Sequence, residues 1–180
     1  MNIGIKREVK IYVFISIFCI LGNDTIIREE EKGVRKMISD DSVKLLKECS
    51  AGVKTAVNSI EEVITEVRSE KLKQMLEESK RDHESLGDEI HEVLNKYHDT
   101  EKDPNPMARA MSWMKINMKL WQDTEDKVIA DLMIDGCNMG IKSLYGYMHQ
   151  YKNANDTVTN LAEKLVKIEE RLMVDLREFL

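Results

Sequence analysis

Two prolines and eight glycines are all that 180 residues contain, so few elements are broken and each must be long. Aromatic residues are scarce, at 6%. Cysteine occurs only at positions 19, 49 and 137. That count is odd and no CxxC pair is present, which argues against a disulfide framework or a zinc site and favours a reducing compartment. No basic run occurs and the net charge is −6. Nucleic-acid binding therefore has no electrostatic footprint. A glycine-rich phosphate loop is missing, and so is a strand-turn-helix nucleophile motif.

Charged residues make up 33% of the chain and hydrophobic ones 42%, the mixture of a soluble helical protein. Eleven methionines are spread along it, as expected of flexible core filler. The length suits one domain with a sizeable core.

The first 38 residues read as a separate tail and linker. Lys6, Arg7 and Lys10 precede an apolar run from Ile11 to Leu21, the order of a secretory signal. The run is shorter than the ~20 apolar residues of a membrane-spanning helix. It exits through Gly22, Asn23 and Asp24 without a small-x-small cleavage site, and bulky Phe18 before Cys19 is poor for a lipoprotein site. A cytoplasmic protein is expected, with export or membrane contact through residues 9–22 as the alternative. The stretch 23–38 is densely charged and reads as linker.

From residue 39 onward the apolar residues recur at helical spacing. Ser39, Asp40 and Asp41 offer N-caps for a helix from about Asp41 to Val67. Its stripe runs through Val43, Leu46, Cys49 or Ser50, Val53, Val57, Ile60, Ile64 and Val67. Ser69 caps a second helix, Glu70 to Tyr97. There Leu72, Met75/Leu76, Ser79, His83, Leu86, Ile90, Val93 and Tyr97 share a face that turns polar at its middle. Residues 98–106 are polar and hold both prolines. Pro106 is suited to start a short helix, Met107 to Trp121, apolar on most of its surface. Asp123 and Thr124 should cap a third long helix, Glu125 to Tyr151. Asn153, Asn155 and Asp156 mark a turn into a fourth, Thr157 to the end, with Val158, Leu161, Leu165, Ile168, Leu172, Leu176 and Phe179 in register.

Short turns within two helix pairs and one long connection between them predict an all-α, ferritin-like antiparallel four-helix bundle over residues 39–180. Its long crossover between the second and third long helices carries a short extra helix. The stretches Cys49–Ile60, Asn105–Ile116 and Ile129–Ile141, with Leu161-Ala-Glu-Lys-Leu and Ile168-Glu-Glu near the end, resemble an uncharacterised bacterial ferritin-like family known mainly as a domain of unknown function. The resemblance covers about three quarters of the chain and implies a fold without implying a reaction.

Ferritin-like di-iron centres place one Glu on each of two helices and Glu-x-x-His on the other two, so that residues one turn apart reach one ion. No Glu-x-x-His occurs; the nearest relative, Asp88-Glu-Ile-His91, is off the core stripe. On the last helix, Leu165, Ile168 and Leu172 fill the mid-bundle positions. A lesser site could draw on His83 and Asp82 of the second helix, Glu48 of the first, Asp131 and Asp135 of the third and Glu169 of the fourth. Against that, His83 reads as a hydrogen-bonded interior histidine and the two aspartates as solvated. Gly136 and Gly140, one turn apart in a helix, read as a close approach, with Trp113 or Trp121 as occupants. Cys137 between them reads as a small buried hydrophobe.

The sequence therefore leads to a non-enzymatic interaction or structural module, self-associating or bound to a protein partner, with no cofactor expected. The alternative is a degenerate iron- or manganese-binding, oxidative-stress protein.

Overall fold

A computed structural model describes residues 39–97, 99 and 125–180. The expected tail and its residues 9–22, the short helix Met107–Trp121 and the caps Asp123 and Thr124 lie outside the described residues. The described part is all-helical, and no strand occurs in it. Four long helices follow one another: α1 (Asp40–Val63), α2 (Glu70–Lys96), α3 (Asp126–Gln150) and α4 (Asp156–Asp175). A 3₁₀ turn, Leu176–Phe179, ends the chain.

Side-chain caps start three of them. Ser39 accepts from the Ser42 N–H, Ser69 from Leu72 and Asn155 from Val158, each closing one orphan donor of a first turn. Helix α3 is different, because its N-cap residue Glu125 makes no side-chain cap. Asp126 instead turns its carboxylate to the α1–α2 turn, accepting from the Arg68 and Ser69 N–H groups, both at 2.8 Å. That turn explains why α1 stops at Val63 rather than Val67. Ile64 to Glu66 form a turn that lets Ser69 take up its capping conformation.

The opposite end is tied by a second set of contacts. Ser39 Oγ donates to the Asn153 carbonyl at 2.6 Å, and Asn155 N–H donates to Ser42 Oγ at 3.0 Å. Asn155 Nδ2 reaches the Tyr97 hydroxyl at 3.2 Å. The first turns of α1 and α4 and the last residue of the α2 hairpin arm therefore meet at one end. The α1–α2 turn and the start of α3 meet at the other. Helices α1 and α4 each touch the other three, whereas α2 and α3 pack on opposite sides of that pair.

Most of the stripe residues read from the sequence are buried, but Val43, Val57, Ile64, Val67, Val93, Tyr97, Ile168 and Phe179 are only partly so, while Leu45, Val63 and Leu94, outside the expected stripes, are buried. The core falls into two apolar clusters. One holds Leu45, Leu46, Val53, Leu86, Ile90 and Leu161, among others. The second is built around Ile60, Val63, Leu72, Leu76, Ile129 and Leu172. Between them, in sequence order along each helix, stand the buried polar residues Ser59, Ser79, His83 and Glu169. The interior is thus two hydrophobic blocks with a polar layer at the waist.

Candidate functional site

That layer is where the candidate residues can be weighed. His83 is fully buried. Its Nδ1 donates to the Ser79 carbonyl oxygen one turn earlier, at 2.8 Å, and Ser79 Oγ lies at 3.4 Å. A carbonyl can only accept, so this contact fixes the proton on Nδ1. Nε2 then points across the bundle to Glu169 Oε1 on α4, 3.4 Å away. A neutral imidazole Nε2 and an ionised carboxylate would both present lone pairs there. The contact is favourable when a proton lies between them.

Glu169 is 8% exposed and takes the mid-bundle position on α4. The sequence expectation of Leu165, Ile168 and Leu172 is corrected here, because Ile168 is only partly buried and Glu169 faces inward. Both choices satisfy helical spacing between Leu165 and Leu172. The signal that separates them lies on α2: a histidine in a core stripe needs a partner on the facing helix.

Cys137 is the second companion of Glu169. Its thiol hydrogen-bonds the carboxylate, and burial together with that negative charge pushes its pKa far up. Cys49, buried in the other cluster, is pushed up to about 12 by burial and by Glu48. Both are free. Cys137 is a buried small side chain, as its sequence context indicates; its bond to Glu169 is not legible there. Thiolate, not thiol, is the nucleophile. Site-resolved alkylation near neutral pH should leave both cysteines unmodified in the folded protein, with labelling appearing only as it unfolds. The sign of the pH effect follows. The unfolded thiols ionise near ~8.5, below their folded values, so the folded state holds more protons above that point. Stability is full below ~8.5 and falls as the pH rises toward 12.

The remaining candidates do not converge. Asp82 pairs with Arg171 on the surface of the α2–α4 seam. Asp131 and Asp135 are exposed on the outer side of α3. Glu48 is half-buried on α1 and lines, with Glu169, a cavity of about 90 Å³ between α1 and α3. Among the described residues no group of three or more His, Cys, Asp or Glu side chains is placed to hold a metal ion.

Small residues open that cavity. Gly52 and Ala56 form one wall, Gly136 and Gly140 the other, with Leu165 and Leu172 beneath. The sequence leads one to expect a close neighbour at Gly136. Gly136 is exposed and a Cβ there would meet nothing within 4 Å, so no described neighbour packs closely on it. At Gly140 the neighbour is the Glu169 carboxylate, 3.4 Å from the point where a Cβ would stand. Chemically, the arrangement offers an apolar recess whose floor carries one hydrogen-bonded carboxylate.

No family model matches the chain, and neither a curated protein nor a solved structure shows significant similarity to it. No helix among the described residues is long and apolar enough to cross a membrane.

Proposed function

We propose that the chain is a ferritin-like antiparallel four-helix bundle that acts as a non-enzymatic interaction or structural module and self-associates in a reducing, cytoplasmic setting. The kinship with the bacterial ferritin-like family belongs to the same proposal. Support for the topology comes from the ends. α1 and α4 start together, and the long connection runs between α2 and α3, as in bundles with one crossover. One observation carries the functional reading. His83, Glu169, Ser79 and Cys137 use their hydrogen-bonding capacity on one another. A polar layer satisfied in this way favours a specific, rigid core over reactivity.

The second reading, a degenerate iron or manganese site, has its own observation. A histidine whose Nδ1 is held by a carbonyl presents Nε2 as a metal ligand would, here toward a carboxylate. Protein purified from cells supplemented with iron and manganese separates the two. The module reading expects far less than one metal per chain and no change on chelation. Near-stoichiometric metal that disappears in His83→Ala would overturn it. Sedimentation velocity across a concentration series tests self-association, and a monomer throughout would remove that part.

A further inference from the structure

The recess between α1 and α3 is apolar in its depth and acidic in its charge. Ile60, Met133, Leu165 and Leu172 line it as buried residues, whereas Gly136 and Met139 are exposed, so it opens to solvent on the α3 side. Among the described residues Glu48 and Glu169 are the charged side chains of the lining, and no lysine, arginine or histidine joins them. An anion would find no counter-charge there, and a cation would find two carboxylates.

The uncharged polar groups of the wall share that bias. Thr55 Oγ1 donates to the Ala51 carbonyl and Ser143 Oγ to the Met139 carbonyl, both at 2.8 Å. A hydroxyl has one hydrogen, so each has only lone pairs left to offer. The Cys137 thiol spends its hydrogen on Glu169. Thr55, Ser143 and Glu169 all stand inside long helices, where backbone N–H groups belong to the helical ladder. These groups offer a ligand acceptors and no donors.

Glu169, 8% exposed, is the buried one of the two carboxylates. His83 and Cys137 occupy two of the roughly four lone-pair sites of its oxygens. Gly140 clears the approach from α3, because a Cβ there would stand 3.4 Å from Oε1. Volume sets the size of the guest. A closed cavity of ~150 Å³ takes a benzene ring, so about 90 Å³ suits an aliphatic chain of roughly four carbons. Met133 and Met139 supply flexible walls that can adjust to such a chain.

We propose that the recess between α1 and α3 binds a short primary alkylammonium ion, its head donating to the Glu169 carboxylate and its chain lying against Leu165 and Leu172. This goes beyond the module reading, and a chain that proves monomeric in sedimentation leaves it untouched.

The probe is n-butylammonium chloride, titrated into the full chain at constant ionic strength and followed by amide shifts in ¹⁵N-labelled protein. Saturable shifts that include Gly52 and Gly140 are expected. 1-Butanol, of the same length without the charge, should bind at least about tenfold more weakly, since a charged donor makes the stronger hydrogen bond. Butyrate should produce no saturable shift. Glu169→Gln keeps the shape and removes the charge, and it should lower the preference for butylammonium over 1-butanol about tenfold while far-UV circular dichroism stays native. Should that variant fold poorly, Glu48→Gln is expected to lower the same preference from the α1 side. Absence of saturable binding would overturn the proposal, as would shifts that leave Gly52 and Gly140 unmoved. Equal binding of butyrate or 1-butanol would overturn it too. So would an unchanged preference in whichever carboxamide variants fold.

Discussion

Replacing His83 by leucine is expected to destabilise the protein by about 1–3 kcal/mol, the scale for leaving a buried polar group without its hydrogen-bond partner. The physical cause is what remains. Glu169, 8% exposed, would keep its carboxylate inside with only the Cys137 thiol as donor. Removing both partners is a different matter. The double variant His83→Leu, Glu169→Leu turns the polar waist into apolar packing between two existing hydrophobic clusters, and it should recover most of the loss. Urea unfolding of the parent, both single variants and the double variant gives the coupling directly. A loss below ~1 kcal/mol in His83→Leu, the range of exposed pairs, would mean that the 3.4 Å contact carries little energy.

Leu76→Ala should cost about 2–5 kcal/mol. Leu76 is fully buried in the cluster around Ile60, Leu72 and Ile129, to which all four long helices contribute. Truncation removes transfer energy and leaves a hole that rigid helices close only in part. The midpoint of urea unfolding should fall with the slope unchanged. An equal loss for Met75→Ala, its half-buried neighbour, would show that burial does not set the cost.

Much of the architecture is legible in residue spacing. The stripe of α2 from Leu72 through Leu76, Ser79, His83 and Leu86 to Ile90 is buried where the pattern places it, because 3.6-residue periodicity and a one-sided core are the same fact seen twice. At its end Leu94 is buried in place of Val93. Ser69 and Asn155 cap helices since their neighbours leave donors that a short polar side chain can close. Two things escape such a reading. The carboxylate of Asp126, at the start of α3, serves a turn 57 residues earlier. No local pattern encodes that pairing. Glu169 escapes because two registers on α4 are equally periodic, and only the facing histidine decides between them. Gly136 shows the same limit: a glycine in a helix suggests close packing, yet this one is exposed with nothing near its missing Cβ, whereas Gly140 one turn on stands against the Glu169 carboxylate.

The Asp126 carboxylate has a kinetic consequence. Each hairpin is built from contacts close in sequence and can form quickly by itself, as low contact order allows. Joining them requires closure of the long connection, whose entropy rises only slowly with its length. The hydrogen bonds from Arg68 and Ser69 to Asp126 form only when the two hairpins are already side by side. They act as a latch set late. Loss of that latch in Asp126→Ala should therefore speed unfolding while leaving the refolding rate nearly untouched.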